Sequence, residues 1–160
     1  MANSVTRALV DAFYEAYASH DTARLAAFLH DDVRWQITGP VDVLPFCGLR
    51  RGKAAVIDLA DRVVPSVYRV VSFQQDSVLV DGDRVATLNR MSGRRCADGR
   101  SISYRLAHFI RFSDGKVIEN ISLLDSFDAA EQMLGHPLEV DNAAPADLPE
   151  LSDAGSIVAV

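Results

Sequence analysis

Tyr104-Arg-Leu-Ala-His108-Phe-Ile-Arg-Phe112-Ser-Asp-Gly-Lys116-Val-Ile-Glu-Asn120-Ile-Ser-Leu-Leu124 is two alternating runs joined by a turn. Apolar and polar residues mostly exchange places at each step, the period of a strand with one buried face. Asp114-Gly115 between such runs marks a hairpin. Its loop reads in two ways. A two-residue Asp-Gly turn pairs Ser113 with Lys116. A three-residue loop, Ser113-Asp114-Gly115 with the glycine left-handed, pairs Phe112 with Lys116. The second is preferred, and it sets His108 opposite Asn120, Leu106 opposite Ser122 and Tyr104 opposite Leu124. One face then carries Ile102, Tyr104, Leu106, His108 and Ile110 beside Asn120, Ser122 and Leu124. A mostly apolar wall with a few polar groups is what a ligand pocket needs. The other face carries Ala107, Phe109, Ile121 and Leu123. The two-residue turn would flip the assignments on the last strand.

Upstream, runs near 67–80 and 83–95 alternate in the same way. Asp81-Gly82-Asp83 and Ala97-Asp98-Gly99 separate the runs, so four long strands form an antiparallel meander. Residues 4–19 repeat Val5, Leu9, Ala12, Phe13, Ala16 and Tyr17 at helical steps, with Ser4 as a candidate cap. Asp21 opens a second helix with Leu25, Phe28 and Leu29 on one side. Val33 to Ile37 alternates as a strand. Gly39-Pro40 begins a loop running to Gly52, and a third helix runs from Lys53 to about Val64, where Pro65 stops it. A last helix spans Phe127–Leu134, capped by Asp125 or Ser126 and ended by Gly135. The expected fold class is α+β: a strongly curved antiparallel sheet packed against three helices, leaving a cone for a small apolar ligand.

The chain has 160 residues, 49% apolar and 24% charged, which fits one globular domain of residues 1–135 plus an extension. The net charge is −6. Most of that excess sits in the acidic, proline-containing residues 136–160, expected to be loosely docked. The remaining body is near neutral and offers no electrostatic footprint for nucleic acid. Arg94, Arg95 and Arg100 cluster, but around a turn, and read as a solvated hairpin tip. No stretch approaches a membrane span or a secretory leader, and Cys47 and Cys96 read as idle thiols, so a cytoplasmic location is expected.

Four stretches carry a resemblance: Asp21-Thr-Ala-Arg-Leu-Ala-Ala-Phe-Leu-His-Asp-Asp, Leu44-Pro-Phe-Cys-Gly-Leu-Arg-Arg-Gly-Lys, His108-Phe-Ile-Arg-Phe and Asp114-Gly-Lys-Val-Ile-Glu-Asn. In this order and spacing the chain resembles the nuclear-transport-factor-2-like superfamily of cone-shaped domains (NTF2-like), in its SnoaL-like and ketosteroid-isomerase-like branch. That fold hosts isomerases, cyclases, epoxide hydrolases, dehydratases and non-enzymes. The resemblance places His108 where those isomerases and cyclases carry a pocket Asp. It also places Phe13 and Ile37 where the steroid isomerases carry an oxyanion-binding Tyr and a proton-moving Asp. Ser122 falls where the epoxide-hydrolase branch carries an Asp, with Arg90 a match for its Arg. Those two activities are therefore disfavoured.

His108 is the candidate catalytic residue, since imidazole takes and returns protons near neutrality. The competing reading is a structural histidine bonded to Asn120 or a backbone carbonyl. Trp35, Tyr17, Arg90, Tyr104, Asn120, Ser122 and Leu124 are the candidate substrate-binding residues. Trp35 reads equally as plain core; Arg90 reads more readily as a solvated sheet arginine, Asp42, a candidate base, as a solvated loop residue, and Asp125 as a helix cap. Gly48 to Lys53 is one residue short of a phosphate loop, no nucleophile elbow occurs, and the histidines lack zinc spacing, so no cofactor or metal is expected. The expected function is proton-transfer chemistry (isomerisation, cyclisation or dehydration) on a small, mainly apolar organic molecule. The alternative is a non-catalytic binding or dimerisation module. The apolar outer sheet face suggests a homodimer, and neither nucleic acid nor membrane is an expected partner.

Overall fold

The computed structural model describes residues 4–139; the acidic extension from residue 140 onward lies outside them. Helix α1 (Arg7–Ala18) buries Val10, Phe13, Tyr14 and Ala16. Its cap is Thr6 and not Ser4: the Thr6 hydroxyl accepts the Leu9 N–H at 3.2 Å. A short turn leads to α2 (Thr22–Ala27), which Asp21 opens by accepting the Arg24 N–H at 3.0 Å. His20, in that turn, has φ 58°, a left-handed conformation that few side chains adopt.

Strand β1 (Leu29–Thr38) follows. The region expected to be loop up to Gly52 ends instead in a short strand, β2 (Gly48–Arg51), paired with β1. Helix α3 (Lys53–Asp58) runs into a π-helical turn, Leu59–Val63, and then α4 (Val64–Val67). Pro65 therefore does not stop the coil. Proline has no N–H to give to the carbonyl four residues back, and the chain widens by one residue just before it, with the Val64 N–H bonding to the Leu59 carbonyl.

The long strands are β3 (Tyr68–Asp81), β4 (Arg84–Arg95), β5 (Ser101–Ser113) and β6 (Lys116–Leu124). The sheet order is β2-β1-β6-β5-β4-β3. The α+β arrangement is the expected one, but the sheet is mixed, because β1 lies parallel to β6. That pairing sets Trp35 beside Asn120 and Ile37 beside Ser122.

The β5–β6 hairpin corrects the preferred register. Ser113 pairs with Lys116 across a two-residue turn, with Asp114 at φ 49° and Gly115 at φ 75°. The flip that this turn implies does not occur. A bulge intervenes: Phe112 pairs with Val117 and Arg111 with Glu119, leaving Ile118 as the extra residue. Val117, Asn120 and Ser122 all remain buried on the inner face. His108 consequently stands opposite Ser122, and Asn120 opposite Ile110.

Helix α5 (Ser126–Leu134) is capped by Asp125, which accepts the Asp128 N–H, and ends at left-handed Gly135. Beyond the end of β6 the edge of β5 needs another partner. Gln132 supplies it: its amide oxygen accepts the Ser103 N–H at 2.7 Å and its nitrogen donates to the Ser103 carbonyl at 2.8 Å. The arginines at the β4–β5 turn are not merely solvated. Arg95 donates to the Met133 carbonyl and Arg100 to the Gly135 carbonyl, both at the C-terminal end of α5.

On the outer face Leu88, Ala107 and Leu123 form one cross-strand row, and Ala86, Phe109 and Ile121 the next. Phe109 and Leu123 are about half exposed there, at 49% and 46%.

Candidate functional site

The inner face and the helices enclose a cavity of about 110 Å³. Its sheet wall includes Met91, Tyr104, Leu106, Ser122 and Leu124. Trp35 and Ile37 extend that wall from β1, and Tyr68 and Phe73 from β3. Val56, Leu59, Ala60 and Val64 roof it from the third helical segment, and Tyr17 closes it from α1. His20, Asp21 and Thr22 lie at its rim. The lining is chiefly aromatic and aliphatic, so water inside forms few hydrogen bonds and an apolar ligand displaces it readily.

Five of the expected pocket residues meet here: Trp35, Tyr17, Tyr104, Ser122 and Leu124. Three do not line the cavity. Arg90 faces the opposite side of the sheet, where its guanidinium pairs with Asp76 at 3.7 Å; strand alternation puts its neighbours Asn89 and Met91 inside instead. Asn120 sits behind Ser122 and donates to the Ser122 hydroxyl at 2.8 Å. His108, expected on the pocket wall, is fully buried behind it, with the rings of Tyr17, Phe73 and Tyr14 within about 6 Å of its own. Phe13 is fully buried and Asp42 is exposed outside the lining.

His108 belongs to a polar chain crossing the inner face. Asn89 donates to the Thr87 hydroxyl at 2.8 Å, Thr87 and Tyr14 share a hydrogen bond of 2.6 Å, and Tyr14 meets His108 Nδ1 at 2.9 Å. One direction gives both hydroxyl protons an acceptor: Thr87 donates to Tyr14, and Tyr14 donates to Nδ1. The remaining ring proton then sits on Nε2, which has no hydrogen-bond partner among the described residues. Burial pushes the imidazole down to about 4, so it is neutral at physiological pH. A histidine in this state is a hydrogen-bond donor held by Tyr14; the competing structural reading gave it Asn120 or a backbone carbonyl as partner, and the bond is to Tyr14 instead.

The cavity's own polar groups are hydroxyls. Tyr68 and Tyr104 share a hydrogen bond of 2.9 Å. Burial raises Tyr17 and Tyr104 well above the ordinary phenol range, so both stay protonated. The Tyr17 hydroxyl has no hydrogen-bond partner among the described residues, and Ser122 accepts from Asn120 and keeps its proton uncommitted. Tyr14, Phe46, Phe73 and His20 were not legible as site residues. Tyr14 follows Phe13 on a helix face whose period admits either ring, and Phe73 lies on a strand whose register needs the sheet. Among the described residues no group of three His, Cys, Asp or Glu is placed to hold a metal ion, and no helix is long and apolar enough to cross a membrane.

The sequence profile of a family described as SnoaL-like domain matches residues 10–120. No curated protein matches the chain by sequence. Among solved structures, a putative isomerase from Rhodopseudomonas palustris is 34% identical, with a TM-score of 0.70 over 80% of this chain and 94% of that one. An NTF2-like protein from Burkholderia thailandensis is 24% identical, with a TM-score of 0.69 over 79% and 95%. An LEH-like epoxide hydrolase from M. tuberculosis is 18% identical, with a TM-score of 0.64 over 80% and 88%, a likeness of fold alone.

Proposed function

The chain belongs to the SnoaL-like domain family, and from that premise we propose that it binds one small, mainly apolar organic molecule in this cavity and rearranges it by proton transfer. The observation that carries the reading is a pair of uncommitted hydroxyl protons, on Tyr17 and Ser122, in an otherwise apolar enclosure. Such donors hold a carbonyl oxygen and strengthen their hold as it gains negative charge. The similar R. palustris protein, a putative isomerase, is in keeping with that chemistry. His108 enters as a neutral group that fixes Tyr14 beneath the cavity, not as the proton carrier.

Trp35 is the chain's one tryptophan and lines the cavity, so its fluorescence reports occupancy. Cyclohexanone is expected to quench it saturably. Tyr17→Phe and Ser122→Ala are each expected to weaken that binding by roughly tenfold, the worth of one hydrogen bond to a buried carbonyl. No saturable quenching ends the proposal. Quenching without any protein-dependent exchange of the ketone's α-hydrogens in D2O selects the second reading, a binding module. That reading is favoured by the sealed position of His108.

The proposal includes a homodimer through the outer sheet face. The exposed Phe109 and Leu123 rows support it. Phe109→Glu is expected to convert the sedimenting species to monomer while leaving the Trp35 signal intact. A wild-type protein that sediments as a monomer at micromolar concentration removes this part.

A further inference from the structure

We infer that His20, at the rim of the cavity, is the residue that takes and returns the proton. This rests on the proposed proton-transfer reading and names the group that performs it. Apart from the hydroxyls, the described residues lining the cavity include two ionisable side chains, His20 and Asp21. Asp21 is engaged in the fold, capping α2 through the Arg24 N–H at 3.0 Å. His20 has no hydrogen-bond partner among the described residues. It is exposed to solvent as well as to the cavity, so water reaches it from the outer side. Imidazole is the side chain whose chemistry suits proton transfer near neutrality.

The backbone adds an independent observation. His20 is held at φ 58° in the turn between α1 and α2. A non-glycine residue there is under strain, relieved by glycine. The turn fixes where the imidazole stands relative to Tyr17, one helical turn earlier on α1 and itself part of the lining. A donor to the carbonyl and a base for the adjacent carbon are thereby mounted on one rigid segment. Of the charged groups on this helical pair, Glu15 and Arg24 are paired at 3.7 Å and Asp21 caps α2; among the described residues the roof contributes Val56, Leu59, Ala60 and Val64 to the cavity.

The step balances without a further reactant. A ring nitrogen of neutral His20 takes a proton from the carbon beside the carbonyl. The C–H bond breaks, an N–H bond forms, and the freed pair makes a C=C bond while the carbonyl pair moves to oxygen. Tyr17 and Ser122 donate to that oxygen. The imidazolium then returns the proton to carbon, at the same or a conjugated position, and the carbonyl reforms.

His20→Gly suits the backbone and removes the base. With cyclohexanone in D2O, this variant is expected to lose protein-dependent α-hydrogen exchange by at least about a hundredfold. Trp35 quenching should be retained, and added imidazole should restore part of the exchange through the open rim. In the wild-type protein, the His20 ring resonance is expected to shift on titration with cyclohexanone, saturating with the quenching curve. Wild-type exchange in His20→Gly overturns the inference, as does quenching with no shift of the His20 resonance or with no exchange in the wild type. Absence of quenching in the wild type instead removes the proposed function itself, so the two failures are distinguishable.

Discussion

Deleting Ile118 alone is expected to leave the protein folded, with the inner face of β6 unchanged. Ile118 is the extra residue of the bulge in β6. Without it Val117 and Glu119 become neighbours in the chain, as their partners Phe112 and Arg111 already are. The two-residue turn still pairs Ser113 with Lys116, and strict alternation then keeps Val117, Asn120 and Ser122 inward. Glu119 stays outward with its partners Arg34 and Arg111 at 3.0 and 3.7 Å. The disruptive alternative is a β6 that keeps Ile118 and pairs it regularly: Glu119 would turn inward, and burying an uncompensated charge costs about 3–5 kcal/mol. The bulge absorbs the residue that would otherwise force that inversion, so residue and bulge can leave together. The measurement is far-ultraviolet circular dichroism with urea titration. Ile118→Ala is the control, since it keeps the residue count and the bulge. Loss of the cooperative transition in the deletion, with Ile118→Ala still folded, would show that the bend of the bulge is itself required.

Acidification from pH 7 to pH 4 is expected to remove about 3 kcal/mol of stability through His108 alone. In the folded protein burial holds the imidazole at about 4, whereas in the unfolded chain it returns to the ordinary value of 6.5. The folded value is the lower one, so the unfolded chain binds the extra proton first. The contribution is therefore complete above pH 6.5 and disappears as pH falls toward 4. Among the described residues no counter-charge stands beside it to soften this: Tyr14, Tyr17 and Phe73 surround it. His108→Gln keeps a hydrogen-bonding side chain without the titration. Urea unfolding of both proteins at pH 7 and pH 4 isolates the difference, since the exposed carboxylate pairs, such as Arg62 with Asp58, titrate alike in each. Equal losses in the two proteins would mean that His108 is hydrated in the folded state.

The course of the chain was largely legible in its amino-acid order. Alternation around Asp-Gly turns located the four long strands, and three- and four-residue steps located α1. Side-chain faces on β5 followed from period two alone, which is why Tyr104, Leu106 and Ile110 fall inward as expected. Faces on β6 came out right for a reason that the residues do not display. Turn and bulge each shift the strand by one, and the two shifts cancel. Nothing in Val117-Ile118-Glu119 distinguishes a bulge from regular pairing. Arg90 was misplaced because its strand has polar residues on both faces: Thr87 and Asn89 are polar and buried. For His108, residue type and face were both legible, yet function depends on what covers the ring. Tyr17 and Phe73 come from α1 and β3, far off in the chain, and only their convergence puts the imidazole behind the wall. The parallel neighbour of β6 was hidden for a related reason, since strand partners distant in sequence share no local signal.

That parallel pairing bears on how the molecule is made. Arg34 and Glu119, joined across β1 and β6, are 85 positions apart in the chain. A polypeptide emerging amino end first therefore holds β1, with Trp35, unpaired on that side until β6 has been translated. Contacts spanning so much sequence slow folding and leave the nascent chain exposed to self-association. Biogenesis of this protein is thus weighted toward the end of translation, when the carboxyl-terminal hairpin leaves the ribosome and the waiting strand finds its neighbour.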